Sequence, residues 1–167
     1  MTAPLLLTIR PVTDADGPAV ARVIAACFTE YPGCLYADAE FPELARPATV
    51  YASRGGRMWA AEAADGTVVG SLAVFPTRDP ATYEIGKVYV ARAARRGGVA
   101  SRMLAQALDF ARAAGARRVR LYTDTRFTDA HRFYERHGFR RLPGVRHIAD
   151  VSQSWEFAYD LALAGAP

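Results

Sequence analysis

A β-prone segment, a glycine-bearing turn and a long amphipathic segment follow one another in the middle of the chain. Residues 82–90 are rich in β-branched and aromatic side chains, which favours a largely buried strand. Residues 95–100 read R-R-G-G-V-A, and apolar residues then recur at helical spacing as far as Ala114. Gly115 stands where a helix C-terminal cap is expected. A strand, a tight turn and a helix are therefore predicted here, with the helix packed on a sheet.

The rest of the chain alternates between strand and helix patterns. Helices are predicted from the Thr13/Asp14 cap to Phe28 and over residues 128–137. Residues 30–47 contain four prolines or glycines and predict a loop with one or two short helical turns. Further strands are predicted over residues 5–10, 58–63, 68–75, 118–123, 139–142 and 150–161. This order predicts an α/β fold with a mixed sheet and helices on its faces.

Length and composition favour one globular domain spanning residues 1–167, since 51% of the residues are hydrophobic and 23% are charged. No apolar run approaches the roughly 20 residues that span a bilayer, and residues 1–9 lack the basic start of a secretion signal. We therefore expect a cytoplasmic protein without a membrane partner. Cys27 and Cys34 do not form a CxxC pair and are expected to be buried thiols. The three histidines share no metal-ligand spacing with cysteines or carboxylates, so no metal is expected.

The charge of the chain is positive, with a formal net charge of +4 and a pI near 9.3. Lys87 is the only lysine, so arginine carries almost all of the positive charge. Such a balance suits either nucleic acid or a phosphate-bearing cofactor, and only the positions of the arginines distinguish the two. The run Arg117, Arg118 and Arg120 is more typical of a solvated face than of a nucleic-acid site. No nucleic-acid partner is expected.

The turn over residues 95–100 has the chemistry of an anion site. The first amide N–H groups of a helix lack intrahelical acceptors, and the helix dipole adds partial positive charge there. Gly97 and Gly98 remove side chains that would keep an anion at a distance, and Ala100 keeps the first turn narrow. Arg95 and Arg96 add positive charge at the rim. The turn is therefore suited to a pyrophosphate, although a plain surface loop remains the alternative.

The order R-x-x-G-x-A after a hydrophobic strand resembles the coenzyme A binding motif of the GNAT superfamily of N-acyltransferases. Residues 130–139, A-H-R-F-Y-E-R-H-G-F, resemble the second signature of the same superfamily. The two motifs flank the strand predicted over residues 118–123, in the superfamily's order. The chain departs from the pattern at Phe127, where many members have an asparagine that helps to hold the pantetheine arm. No such contact is therefore carried over to this position.

The resemblance implies a GNAT-like, mostly antiparallel sheet of six to seven strands with helices on both faces. It also implies a cofactor site for acetyl-CoA in which the strand lies along the pantetheine arm and the turn holds the pyrophosphate. The cofactor-binding residues would be Val88, Tyr89, Val90, Arg95, Arg96, Gly97, Gly98, Val99, Ala100 and Ser101.

Two side chains are candidates for proton transfer. Tyr134 matches the position often assigned as the general acid, which protonates the departing thiolate. The alternative is a core tyrosine, because Tyr134 shares one helical face with Ala130, Phe133 and His137. Glu84 lies in an apolar strand, where burial would raise its pKa and suit it to act, through a water, as a base on the acceptor amine. A glutamate paired with an arginine is the alternative reading of Glu84.

These features together predict transfer of an acetyl group from acetyl-CoA to a primary amine of a small molecule, by direct attack in a ternary complex. In such enzymes the acceptor pocket would be shaped here by residues 28–51 and 143–154, which combine carboxylates with aromatic rings. A protein or peptide acceptor, a non-catalytic acyl-CoA-binding regulator and a nucleic-acid binder remain alternatives. The acyl-chain preference and the formation of a homodimer are left open.

Overall fold

The computed structural model describes residues 6–164 as eight strands and four α-helices joined by short turns. The predicted first strand begins at Leu5, which lies outside the described residues. In chain order the elements are β1 (Leu7–Pro11), α1 (Gly17–Phe28), α2 (Pro47–Ser53), β2 (Arg57–Ala63), β3 (Val68–Pro76), β4 (Thr82–Val90), α3 (Val99–Ala113), β5 (Arg118–Asp124), α4 (Thr128–Arg136), β6 (Arg140–Arg141), β7 (Arg146–His147) and β8 (Trp155–Ala162).

One sheet contains all eight strands in the order β1-β2-β3-β4-β5-β8-β6, with β7 also paired to β8. Among the strands of residues 6–164, only β4 and β5 run parallel, and every other pair is antiparallel. The predicted mixed and mostly antiparallel α/β fold is confirmed. The sheet has eight strands because the late loop contributes the two-residue strand β7, which is too short to leave a pattern in the sequence.

Helices cover both faces of the sheet, as predicted. Neighbouring residues of β2 point to opposite faces, so Trp59 belongs to one apolar cluster and Met58 to the other. The cluster around Trp59 includes apolar residues of α3 and α4, and the cluster around Met58 includes those of α1 and α2. The two cores hold the helices against a sheet that is buried from both sides over its central strands.

The sheet opens between β4 and β5. Their parallel pairing covers only Thr82 to Ile85 of β4, and no pair joins the two strands beyond that point within the described chain. The register of β4 against β3 shifts in the same region, where Lys87 has a φ of +55°. The Ser71 hydroxyl donates a 2.7 Å hydrogen bond to the Lys87 carbonyl. This β-bulge bends the second half of β4 away from β5 and leaves one edge of that half unpaired.

Two local predictions differ from the structure. Residues 47–53 form α2, although Pro47 suggests a break, because a proline fits the first turn of a helix where no N–H donor is required. The last strand begins at Trp155 and not at residue 150, because Asp150 accepts a 2.8 Å bond from the Ser154 amide and closes a turn. The 3₁₀ turns Asp38–Glu40 and Pro42–Ala45 match the short helical turns predicted in the proline-rich loop. None of the helices in residues 6–164 has the length and the apolar composition that a membrane-spanning helix requires.

Candidate functional site

A cleft of about 980 Å³ lies where β4 and β5 separate. Its walls come from the second half of β4, the turn before α3, one side of α4 along its length and the end of α1. The predicted site residues that line it are Val88, Tyr89, Val90, Arg95, Arg96, Gly98, Val99, Ala100, Ser101 and Tyr134. Gly97 and Glu84 are outside the lining. The structure thus brings the two sequence motifs together across one opening.

The turn before α3 presents a row of amide donors. Residues 96–101 are consecutive, and none of their N–H groups donates to an acceptor in residues 6–164, since the first helical bond runs from the Arg102 amide to the Gly98 carbonyl. Positive φ angles of +67° at Arg96 and +74° at Gly98 fold this turn into a concave nest of amides. The positive end of the α3 dipole adds to the same position. An anion placed here would find several donors at once.

The Arg95 side chain is held against α1 and does not extend freely at the rim. Its guanidinium makes two bonds of 2.7 and 2.6 Å to the Glu30 carboxylate. Its Nε donates a 2.8 Å bond to the Val90 carbonyl. Arg96 is exposed and makes no ion pair with the described residues, so it does present charge at the rim. The two arginines of the motif therefore differ in what they can reach.

The open edge of β4 presents an amide donor to the cleft. The Ala91 amide donates a 2.7 Å bond to the Val69 carbonyl on β3. Because successive residues of a strand direct their polar groups to opposite sides, the N–H and C=O of Val90 point away from β3 and into the opening. The carbonyl is capped by Arg95, and the Cys27 Sγ lies 3.5 Å from it. The Val90 N–H is therefore free to bind an incoming carbonyl oxygen.

Tyr134 is a buried residue of α4 whose side chain also lines the cleft. Its ring packs against Phe133, Phe139 and Tyr159, with centroid distances of 5.5 to 6.0 Å. Its hydroxyl has no hydrogen-bond partner within residues 6–164. Burial raises the pKa of the phenol, so the hydroxyl keeps its proton at neutral pH. Tyr134 is therefore both a packed core residue and a residue of the cleft lining. Its unpaired hydroxyl can donate a proton.

Glu84 lies in the first half of β4, outside the part of the strand that lines the cleft. It faces Arg120 across the β4–β5 pair, in the part of the sheet that is still closed. Its carboxylate is partly buried and makes no ion pair or hydrogen bond with described residues. Burial raises its pKa above 4.5, and the charges of Arg146, Lys87 and Arg120 oppose that shift. Glu84 is thus a carboxylate without an ion-pair partner among the described residues, and it lies outside the cleft lining.

Several cleft residues were not predicted as cofactor-site residues, although Phe28 and Tyr31 belong to the segment predicted to shape the acceptor pocket. Tyr31 and Phe127 form an aromatic wall with a centroid distance of 4.8 Å, and Phe28 packs on Phe127 at 6.0 Å. For Phe127 itself the only signal was its departure from the motif, which indicated a lost polar contact and not an aromatic wall. The lining also contains the positively charged residues Arg92, Arg132 and Arg136, of which Arg92 lies far from the other two in the chain.

The two segments predicted to shape an acceptor pocket contact each other. The Ser152 Oγ accepts a 2.7 Å bond from the Leu35 amide, and the Glu40 carboxylate accepts a 2.6 Å bond from the Val151 amide. Residues 34–45 carry three carboxylates and no lysine or arginine. One of them, Glu43, is buried and pairs with Lys87 at 2.7 Å. In the described residues no group of three histidine, cysteine or carboxylate side chains is arranged to hold a metal.

Comparison with known proteins identifies the family of this chain. The model of the acetyltransferase (GNAT) family matches residues 20–139. The uncharacterised N-acetyltransferase YjgM of Escherichia coli is 32% identical over 147 residues, which cover 84% of this chain and 86% of that protein. An acetyltransferase structure from Streptococcus agalactiae has a TM-score of 0.80 at 22% identity and covers 94% of this chain and 98% of its own.

A second solved structure is that of yncA from Salmonella typhimurium with its cofactor acetyl-CoA. It has a TM-score of 0.72 at 19% identity, and the match covers 95% of this chain and 94% of that one. At these identities the solved structures show a shared fold. The family match and the curated relative extend the likeness to the sequence itself. The chain therefore belongs to the acetyltransferase (GNAT) family and is an acyltransferase.

Proposed function

We propose that this protein transfers the acetyl group of acetyl-CoA to a primary amine of a small molecule, by direct attack in a ternary complex. The observation that carries the proposal is the convergence of three features in one cleft: the free amides of residues 96–101, the open edge of β4 and the unpaired Tyr134 hydroxyl. A thioester with a phosphate-bearing tail needs all three. The Salmonella structure, which contains acetyl-CoA, supports the choice of co-substrate.

The cofactor would be held by its phosphates at one end and by its amides at the other. The turn from Arg95 to Ser101 would bind the pyrophosphate through backbone N–H groups, with Arg96 contributing charge. Val88, Tyr89 and Val90 would lie along the pantetheine arm like an added strand. The Val90 N–H would then donate to the acetyl carbonyl oxygen, which gains negative charge as the amine attacks.

The reaction forms one bond and breaks one. The lone pair of the neutral amine attacks the acetyl carbon, the N–C bond forms, and the C–S bond breaks as coenzyme A leaves. Tyr134 would give its proton to the departing sulfur. An ammonium has no lone pair, so a base must take a proton from the acceptor. Glu84 would do this through water, since its carboxylate is unpaired and lies outside the lining.

The acceptor is proposed to be a small amine that carries positive charge before it reacts. The support is the acidic character of residues 34–45 and the aromatic side chains beside them, including the stacked pair Tyr36 and Phe41 with a centroid distance of 5.1 Å. An assay of free thiol release with acetyl-CoA and panels of amines tests the proposal. Turnover of small amines is expected; turnover of peptides alone would reverse the preference. Absence of any coenzyme A binding would overturn the proposed function altogether.

A non-catalytic acyl-CoA-binding regulator is the alternative that the free Tyr134 hydroxyl disfavours, because a regulator has no use for a proton donor. We further propose that residues 1–167 form one domain and that the protein works in the cytoplasm, which its two free buried cysteines support. Dimer formation is tested by light scattering at several protein concentrations.

A further inference from the structure

The Arg95 side chain joins the turn before α3 to the end of β4, which is near in sequence, and to the end of α1, which is far away in sequence. It bonds to Glu30 after α1, to the Val90 carbonyl at the end of β4, and approaches the Cys27 Sγ of α1 at 3.5 Å. We propose that Arg95 is a positioning residue that caps the Val90 carbonyl and ties the phosphate-binding turn to α1, and that its side chain is not a ligand of the pyrophosphate. This inference rests on the proposed function, because it concerns the same cleft.

The contacts of Arg95 leave little of the guanidinium for an anion. Both terminal nitrogens bond to the Glu30 carboxylate, and the Nε is committed to Val90. The side chains of Arg95 and Glu30 are only 33% and 24% exposed, respectively. A bidentate arginine–carboxylate pair of this kind is among the stronger polar contacts in proteins. Contact with a phosphate would cost these bonds, while the unpaired Arg96 and the backbone amides are already available beside it.

Capping of Val90 has a direct consequence for the chemistry. The Val90 N–H and C=O point to the same side of the strand, so a bare carbonyl oxygen would stand beside the donor in the cleft. A carbonyl oxygen there would repel the oxygen of the thioester as it becomes negative. The charged Arg95 donor neutralises that effect and fixes the plane of the peptide. The open edge of β4 then presents donors and no uncapped acceptor at this point.

Glu30 distinguishes a positioning role from a direct phosphate contact. If Arg95 bound the pyrophosphate, Glu30→Gln would free the guanidinium from its competing carboxylate, and coenzyme A would bind equally well or more tightly. If Arg95 is instead a positioning residue, Glu30→Gln should weaken the binding of coenzyme A about tenfold in calorimetry, because the turn before α3 is no longer tied to α1. Asp109→Asn is the matched control, since it removes the partner of Arg112 on an exposed face of α3 and should change nothing.

A thioester without phosphates provides the second readout. Arg95→Gln should lower kcat/KM about tenfold for both acetyl-CoA and S-acetylpantetheine, and Arg95→Lys should restore little because a lysine cannot make the forked contacts. A defect with acetyl-CoA alone, or coenzyme A binding by Glu30→Gln that is unchanged or tighter, would overturn the proposal. Thermal unfolding of each variant separates loss of the fold from these effects. Failure of the wild type to bind coenzyme A would instead contradict the proposed function.

Discussion

The Ser71 hydroxyl donates a 2.7 Å hydrogen bond to the carbonyl of Lys87, the residue that carries the left-handed φ of the β4 bulge. Ser71 is fully buried, so this bond is made without competition from water. The bulge in turn separates β4 from β5 and creates the cleft. A single buried hydroxyl thus supports the opening in which the proposed chemistry takes place.

Replacement of Ser71 by alanine should loosen the bulge. The change removes one bond and leaves the Lys87 carbonyl without a partner, which should lower the free energy of unfolding by about 2 kcal/mol. Affinity for coenzyme A should fall as well, because the β4 edge loses its shape. Denaturant unfolding and calorimetry measure the two effects. Ser53→Ala, which removes an exposed hydroxyl bonded to the Val50 carbonyl, should stay within about 0.5 kcal/mol of the wild type.

Tyr134→Phe should remove the proton donor and keep the packing. We expect kcat to fall about 100-fold while coenzyme A binds as before, because the ring stays in its aromatic cluster. Tyr159→Phe is the control, since the hydroxyl of this buried neighbour donates a hydrogen bond to the Glu135 carboxylate, and neither residue lines the cleft. Steady-state kinetics and calorimetry check both variants. Unchanged turnover in Tyr134→Phe would assign the residue to the core alone.

The pH dependence of Glu84 has a definite sign. Burial raises the pKa of Glu84 above its ordinary value. The folded protein therefore binds this proton more tightly than the unfolded chain does, and it loses stability as the pH rises from the ordinary pKa of a glutamate through the raised one. Glu84→Gln should therefore raise Tm at pH 7 relative to the wild type, with a smaller difference at pH 4. Differential scanning calorimetry at the two pH values measures this.

The same substitution tests the proposed base. A base works only when deprotonated, so kcat/KM of the wild type should fall as the pH drops through the raised pKa of Glu84. Glu84→Gln should lower kcat/KM at neutral pH by about 100-fold and remove this acid limb. A pH profile that keeps its acid limb in the variant would mean that another group takes the proton.

Gly98 adopts a φ of +74°, and a Cβ built there would meet no atom within 4 Å. Gly98→Ala should therefore destabilise the protein by about 1 kcal/mol through backbone strain alone. It should also weaken coenzyme A binding, because Gly98 lines the cleft within the amide nest. Gly115→Ala has the same strain, with a φ of +89° and equally open space, at the far end of α3. The two variants should match in stability, and only Gly98→Ala should change affinity.

Local patterns in the sequence were sufficient for the elements that build the cleft. The hydrophobic run of β4, the glycines at residues 97 and 98 and the apolar face of α3 each depend on neighbours within a few residues. Period and turn chemistry act over the same short range, which is why these bounds agree with the structure. Helix α2 was missed because the same proline that interrupts a helix also starts one, and only packing distinguishes the two cases.

The sequence by itself predicted the order of most elements, the glycine-bearing turn before α3 and the placement of two motifs on either side of one strand. Only the tertiary structure decided that Arg95 faces Glu30, 65 positions away, that Ser71 caps the bulge at Lys87, and that Glu84 lies outside the cleft lining. The physical reason is that the tertiary fold, and not the local sequence, determines which polar groups lie close to one another across the sheet. No periodicity records which distant carboxylate or carbonyl will face a given donor.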